Sequence, residues 1–219
     1  MRKLLILRPE PGASATAGAA TALGLEALTR PLFVIEPVAW SVPDANDFDA
    51  LLLTSANAVR HAGRGLTQLA ALPVVAVGNA TADAARHAGL SVTMTGGSDV
   101  RALLDALTGS PRLLHLGGED RADAGNRHDI VTRTVYRAAP LANPGLPDLA
   151  GWVAVVHSPR AGARLAELVP DRASTAIAAI SRAAASACAD GWERVEYSAE
   201  PTDPALLALA ARLCQSPDQ

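Results

Sequence analysis

Short apolar runs alternate with Ala-rich amphipathic stretches along the whole chain. Aliphatic runs separated by longer segments of helical periodicity are typical of repeated βα units and a parallel sheet. Strands are predicted at residues 3–7, 32–35, 50–54, 74–77, 91–94, 113–116, 131–136, 153–157, 175–180 and 194–197. Helices are predicted in most of the intervals, so the pattern indicates a layered α/β protein.

The same pattern occurs twice, at an offset of about 103 residues. The anchors of this repeat are segments 50–55 and 152–158, segments 74–78 and 177–181, Gly89 and Gly191, and the leucine pairs 103–104 and 206–207. Several anchors in one register indicate two copies of one βα module, each too small to form the whole core.

Two Pro-rich segments, 36–47 and 138–150, interrupt the pattern and are predicted to be extended connectors. If both connectors cross between the same two bodies, residues 37–140 form an inserted domain, and residues 1–36 plus 141–219 form the other. A single cut near residue 140 is the alternative, but it separates the first strand and helix from the second copy. Ligands of open parallel sheets bind outside the carboxyl ends of the strands, so a cleft lined by the βα loops is the expected site.

Composition narrows the function classes. The chain has 219 residues, 49% of them hydrophobic and only 3% aromatic, so small aliphatic residues must fill the core. With 19 basic and 22 acidic residues and no basic run, neither nucleic-acid binding nor membrane attachment is expected. Lys3 is the one lysine, and the permanent charge and forked shape of the many arginines suit carboxylate or phosphate groups.

Neither targeting nor cysteine chemistry is indicated. Cys188 and Cys214 lack metal-ligand spacing, and no disulfide is expected. The N-terminal apolar run ends at Leu7, which predicts a first strand rather than a signal peptide, and a cytoplasmic location is expected.

Polar residues follow several of the predicted strands. Ser55 is placed to cap the next helix, either as a structural cap or as part of a carboxylate cradle with Thr54. Gly78 and Asn79 form a similar turn with Thr81, and the second copy has Ser158 with Arg160, and Ser181 with Arg182. These residues are the candidate ligand-binding groups.

Other motifs carry less chemistry. Gly117 begins a glycine pair that lacks the spacing of a dinucleotide fold or a P-loop. His115 and His157 are predicted to be hydrogen-bonded wall residues, and His61 and His87 to be surface residues. Tyr136 ends the last strand before the second connector, where it either packs against the sheet or offers its hydroxyl to a ligand. No metal site or covalent mechanism is indicated.

Taken together, the motifs resemble the uroporphyrinogen-III synthase family. The resemblance rests on LLLTSANAVRHA, VVAVGNATADAARHAGL, TVYR and AEPTDPALLALA, in this order along nearly the whole chain. It implies two flavodoxin-like parallel-sheet domains joined by two extended connectors, with one domain inserted in the other and no cofactor. It also implies cyclisation of hydroxymethylbilane to uroporphyrinogen III, with loss of water and inversion of the terminal pyrrole.

The resemblance also assigns roles to residues. It makes Tyr136 the candidate to assist departure of the hydroxide and places Thr54, Ser55, Thr81 and Ser158 on the cleft wall. Arg8, Arg60, Arg160 and Arg182 stand at βα turns, where they could hold the substrate's carboxylates. A monomer is expected, with a transient hand-over from the upstream bilane-forming enzyme.

The chain departs from the family pattern at one turn. The usual hydroxyl near residues 183 and 184 is missing, and Ser181 and Arg182 stand beside alanines instead. The match of residues 117–121 to the family's G-x-x-x-R is loose. The altered turn at residues 180–185 leaves a second hypothesis open, in which a two-lobed protein binds an anionic small molecule without reacting it.

Overall fold

The computed structural model describes residues 2–97, 99–120 and 128–215. The strands are β1 Leu4–Ile6, β2 Ala27–Thr29, β3 Phe33–Pro37, β4 Ala50–Leu53, β5 Val74–Val77, β6 Val92–Gly96, β7 Leu113–Gly118, β8 Ile130–Pro140, β9 Val153–Val156, β10 Ala176–Ala179 and β11 Arg194–Tyr197. The α-helices are α1 Gly12–Ala22, α2 Ala56–His61, α3 Gly65–Gln68, α4 Asn79–His87, α5 Val100–Asp105, α6 Pro159–Leu168, α7 Arg182–Ser186 and α8 Asp203–Gln215.

The chain divides into two compact units. One unit comprises Met1–Val34 and Pro140–Gln219, and the other, inserted within it in sequence, comprises Ile35–Ala139. Each unit has its own sheet and its own aliphatic core. Both chain crossings lie within strands, β3 and β8.

The first unit contains a five-stranded sheet in the order β2-β1-β9-β10-β11, with every pair parallel. Numbered along the chain within this unit, that is the flavodoxin order 2-1-3-4-5. The central strands carry only aliphatic side chains and are buried on both faces, as expected for a parallel sheet covered by helices. α1 and α8 pack against the face that contains Leu4, Ile6 and Val153.

The second unit contains a six-stranded sheet in the order β6-β5-β4-β7-β8-β3. The strands from β6 to β8 form four parallel pairs, and β3 lies beside β8 at the edge. Within this unit the five parallel strands have the chain order 3-2-1-4-5, which is the other common doubly wound order. The second sheet is therefore parallel α/β but does not repeat the flavodoxin order of the first.

The two sheets are nevertheless circular permutations of one arrangement. The repeated segment supplies β4, β5 and β6 in one sheet and β9, β10 and β11 in the other. A further strand pair stands beside each set: β7 and β8 follow the repeat in the chain, whereas β1 and β2 precede it. The chain order differs between the sheets because this pair has changed its place in the sequence.

The strand predictions hold with three corrections. β2 was not predicted, because three residues between a helix and a turn are too short for a period-two pattern. The run at 32–35 corresponds to β3, which belongs to the sheet of the inserted unit. β8 extends to Pro140, into the segment predicted to be a connector. None of the helices formed by the described residues is long and apolar enough to span a membrane.

One glycine permits close packing of two helices in the first unit. A Cβ at Gly162 in α6 would lie 2.8 Å from the carbonyl oxygen of Ala184 and 2.9 Å from Sγ of Cys188. The carbonyl belongs to the backbone of α7, so it cannot turn away as a flexible side chain would. This contact fixes the spacing of α6 and α7.

We expect Gly162→Ala to destabilise the protein. Overpacking of this kind costs about 1–3 kcal/mol in the free energy of unfolding, which urea denaturation followed by circular dichroism measures. Gly18→Ala in α1 is the matched control, because a Cβ there meets no atom within 4 Å. The control should be neutral or more stable by up to about 1 kcal/mol, and equal stability of the two variants would contradict the close approach.

Candidate active site

The carboxyl edge of the second sheet gathers several predicted site residues. Thr54 follows β4, Gly78 follows β5, Gly117 lies near the end of β7, and Tyr136 lies on β8. These strands are parallel, so their carboxyl ends meet at one edge, where open α/β sheets bind ligands.

The ring of Tyr136 lies against the backbone of Gly118. The two residues are paired across β7 and β8, next to a register shift between Gly117 and Gly118. A Cβ at position 118 would lie 2.7 Å from Cζ and 2.9 Å from Oη of Tyr136. The absence of a Cβ at Gly118 lets the phenol lie over this backbone, and a larger residue would displace the ring.

His61 is the aromatic neighbour of Tyr136. The ring centroids are 6.3 Å apart and the planes are tilted by 39°, within the range of favourable aromatic pairs. Burial lowers the pKa of His61, and the charge of Arg60 lowers it further, so the imidazole is neutral at pH 7. The sequence predicted a surface position, but His61 is half-buried at the end of α2.

A second histidine supports Thr54. His115 on β7 is only 3% exposed, and its Nε2 lies 3.0 Å from Oγ1 of Thr54. Its Nδ1 lies 3.4 Å from Oγ1 of Thr132 on β8. His115 is thus a hydrogen-bonded residue within the sheet, as the sequence predicted.

Three predicted serines act as helix caps. Ser55, Ser158 and Ser181 accept backbone N–H bonds from Asn57, Ala161 and Ala184, each at 3.2 Å. Ser181 caps α7, so the turn that departs from the family pattern keeps a hydroxyl, but this hydroxyl serves the helix.

The turn between β5 and α4 is built on a glycine. Gly78 has φ +79°, which strongly favours glycine, and Asn79 is exposed as the first residue of α4. Thr81 packs into the unit and is 5% exposed, which leaves little of it for a ligand.

The predicted arginines differ in their surroundings. Arg60 bonds Oδ1 of Asn57 at 3.1 Å on the surface of α2. Arg160 stacks 4.6 Å above the ring of Phe33, and Arg182 donates to the hydroxyl of Tyr197 at 2.8 Å. These are contacts with neutral groups, and a guanidinium with five N–H donors can make them and still bind a carboxylate.

Arg8 is held by a carboxylate of its own unit. Its Nη1 donates to both oxygens of Asp203, at 3.0 and 2.9 Å, and Thr16 donates to the same carboxylate at 2.8 Å. Nε2 of His157 lies 3.3 Å from Oδ1 of Asp203. These four residues form an ionic cluster at the carboxyl edge of β1 and β9.

The cluster lowers the pKa of Asp203 to about 2. The His157 contact has the largest effect, burial opposes it, and the bond from Thr16 and the charge of Arg8 add to the lowering. The His157 contact is not aligned as a hydrogen bond, whereas the bonds from Thr16 and Arg8 are. We therefore regard Thr16 and Arg8 as the firmer partners of this carboxylate.

The fold and these edges define a two-unit parallel α/β protein with hydroxyl, arginine and tyrosine groups suited to a small anionic substrate. A family model described as "Uroporphyrinogen-III synthase HemD" matches residues 14–208. The chain belongs to the uroporphyrinogen-III synthase family. It is therefore an enzyme of tetrapyrrole and heme biosynthesis, a cyclising lyase that acts on hydroxymethylbilane.

Solved structures show the same fold. The structure of uroporphyrinogen-III synthetase from Helicobacter pylori 26695 matches with a TM-score of 0.67 and 17% identity, over 97% of this chain and 100% of that one. A mutant uroporphyrinogen-III synthase from the extremely thermophilic bacterium Thermus thermophilus matches with a TM-score of 0.50 and 20% identity, over 97% and 99%. A search of curated protein sequences found no match.

The sequence also predicted a loose match of residues 117–121 to the family's G-x-x-x-R motif, and this segment ends at Arg121. This residue lies outside the described part of the chain.

We expect the ionic cluster to stabilise the protein above pH 4 and to lose that effect in acid. Because the pKa of Asp203 falls from 3.8 to about 2 on folding, its contribution is complete above the unfolded value and disappears as pH falls through the folded one. Since the side chain is 34% exposed, we reduce the full linkage energy to about 1–2 kcal/mol.

Asp203→Asn should therefore cost about 1–2 kcal/mol of unfolding free energy at pH 6 and roughly half of that at pH 3. Asp83→Asn, which breaks an exposed pair with Arg86, is the control and should change stability by less than about 0.5 kcal/mol. Urea denaturation at both pH values measures these differences. A pH-independent effect of Asp203→Asn would show that the charge of this carboxylate does not stabilise the fold.

Proposed function

We propose that this chain closes hydroxymethylbilane to uroporphyrinogen III mainly by positioning, with Tyr136 as the proton donor. The observation that supports this most is the seating of the Tyr136 phenol on Gly118 at the carboxyl edge of β7 and β8. A phenol that packs against the backbone here places its hydroxyl at the carboxyl edge of the sheet, and a general acid must lie within hydrogen-bond reach of the group it protonates.

In the first step the terminal hydroxyl of the bilane leaves. Tyr136 gives its proton to this hydroxyl, the carbon–oxygen bond breaks, and water departs from a cationic azafulvene. The neutral imidazole of His61 adds no positive charge beside the developing cation. The tyrosinate left behind recovers a proton when the pyrrole ring that attacks gives one up.

In the second step the azafulvene carbon bonds to the substituted carbon of the terminal pyrrole. The resulting spiro intermediate opens and closes again with that ring inverted. Unassisted closure joins the nearer, unsubstituted carbon, so the protein's contribution is to hold the chain in the conformation that favours the other bond.

The carboxylates of the bilane give the protein its means of positioning. Arg160 and Arg182 stand at the starts of α6 and α7, each against an aromatic residue, and Arg60 lies on α2. Arg8 offers its remaining N–H groups with its charge offset by Asp203. The other members of the proposed binding set are Thr54, Ser55, Gly78, Asn79, Gly117, Ser158 and Ser181. Thr81, predicted as a member, is too buried to be a main contact.

We further propose that the protein works in the cytoplasm as a monomer and receives its unstable substrate from the upstream bilane-forming enzyme. The altered turn at Ser181 gives no support to the alternative of binding an anionic small molecule without turnover, because its hydroxyl caps α7 just as Ser55 and Ser158 cap their own helices.

An isomer analysis separates these functions. The purified protein receives enzymatically made hydroxymethylbilane, and the products are oxidised and separated by chromatography. We expect the inverted isomer III to dominate and to form faster than the spontaneous product. If only the uninverted isomer forms, at the spontaneous rate, the enzymatic proposal is wrong; thermal stabilisation by the bilane would then support the binding protein.

Tyr136→Phe should lower kcat about 100-fold, the lower end of the effect of a general acid, with little change in KM or in the melting temperature. Steady-state kinetics with isomer analysis measures this. Tyr197→Phe is the matched control: it removes the other phenol hydroxyl, which bonds Arg182, and should leave kcat unchanged. Full activity of Tyr136→Phe would remove the proton-donor role.

A second variant tests the packing of the Tyr136 ring against Gly118 instead of the Tyr136 hydroxyl. Gly118→Ala displaces the ring of Tyr136 and should lower kcat although the tyrosine remains. Gly97→Ala, where a Cβ meets nothing within 4 Å, is its control and should keep wild-type activity.

A further inference from the structure

Three polar side chains form a row across neighbouring strands of the second sheet. Thr54 follows β4, His115 lies on β7, and Thr132 lies on β8. The row is linked by the 3.0 Å contact of Nε2 with Thr54 and the 3.4 Å contact of Nδ1 with Thr132. His115 is buried, whereas Thr54 is half-buried at the edge where ligands are expected.

We propose that His115 is a positioning residue that sets the direction of the Thr54 hydroxyl. In this arrangement the Nε2–H of His115 donates to Oγ1 of Thr54, and the hydroxyl of Thr132 donates to Nδ1. The proton of Thr54 is then turned away from the ring and is presented to a substrate carboxylate. This inference rests on the proposed function, because it takes the carboxylates of the bilane as the ligand.

The argument follows from the number of protons available. A neutral imidazole has one N–H, so it can donate to Thr54 or accept from it, but not both through Nε2. If the hydroxyl of Thr54 donated to Nε2, only the lone pairs of Oγ1 would remain for a ligand. A carboxylate has no proton to donate to these lone pairs. A carboxylate therefore selects the arrangement in which Nε2 carries the proton.

Packing alone does not explain a histidine at this position. The neighbouring positions of β7 are leucines: Leu113 shares the face of His115, and Leu114 and Leu116 pack into the core on the opposite face. Burying an imidazole costs free energy that an aliphatic side chain would not, unless its nitrogens are hydrogen-bonded. The contacts with the two threonines meet that requirement and extend from the core to the half-buried Thr54.

The first test reads the tautomer in the wild-type protein. Selective ¹⁵N labelling of histidine and two-dimensional NMR distinguish a protonated Nε2 from a protonated Nδ1 in the His115 ring, assigned by its absence from His115→Gln. We expect the proton on Nε2 with and without the substrate. A proton on Nδ1 with a bare Nε2 would overturn the proposal, whatever the activity of the protein.

The second test uses two amides of different reach. Gln places its amide near the position of Nε2, and Asn places its amide near that of Nδ1. His115→Gln should keep KM within about twofold of wild type, whereas His115→Asn and His115→Phe should raise KM roughly three- to tenfold, the value of one hydrogen bond. In all three, kcat should change little, because substrate binding is the step affected.

A double-mutant cycle ties the effect to Thr54. Thr54→Val should raise KM by a similar factor, and adding His115→Phe to it should raise KM no further. Independent effects, or equal KM values for the Gln and Asn variants, would overturn the proposal. If the wild-type protein does not convert hydroxymethylbilane, the proposed function falls, while the NMR result still decides the direction of the hydrogen bond.

Discussion

The strands at the centre of the two sheets, β1, β9 and β10 in one and β4, β5 and β7 in the other, are buried on both faces and pair in parallel. Parallel pairing leaves each strand with its carboxyl end at the same edge as its neighbours. The residues that follow each strand at this edge lie outside the core, so polar residues are found there. Most candidate site residues therefore lie at or after the strand ends, whereas His115 and Tyr136 lie within β7 and β8.

The circular permutation shows how one arrangement supports two different edges. At the position after the first strand of the repeat, one unit has Thr54 and the other has His157. At the corresponding position of the neighbouring strand, the register places Gly117 in one unit and Arg8 in the other. One edge therefore carries hydroxyl, imidazole and phenol groups, whereas the other carries an ionic cluster around Asp203. The scaffold is shared, and the substitutions after its strands give each edge its own electrostatic character.

The sequence predicted what depends on local pattern and missed what depends on contacts between distant segments. Strand periodicity located all the strands except β2, which is too short to show a period. The Ser55 cap was predicted because capping is local in sequence. The Arg8–Asp203 pair joins residues 195 positions apart, and the sequence around Arg8 does not indicate this partner. The approach of His61 to Tyr136 likewise depends on how α2 packs beside β8, although the glycine pair at 117 and 118 was a usable signal of a close contact.

Charged groups and fixed hydroxyl groups at these carboxyl edges act differently on a substrate with many carboxylates. An arginine whose charge is already balanced adds little long-range attraction. Arg8 links Thr16 on α1 to Asp203 on α8, so any contact it makes with a substrate carboxylate is short-range. Long-range attraction by an arginine draws in any carboxylate, because a charge has no preferred direction at a distance. Hydroxyls fixed by buried partners accept only groups in the correct place and of the correct polarity. We propose that selection of one of the two possible carbon–carbon bonds uses that directional kind of contact, at Thr54, which His115 contacts, and at Tyr136, whose ring lies against Gly118.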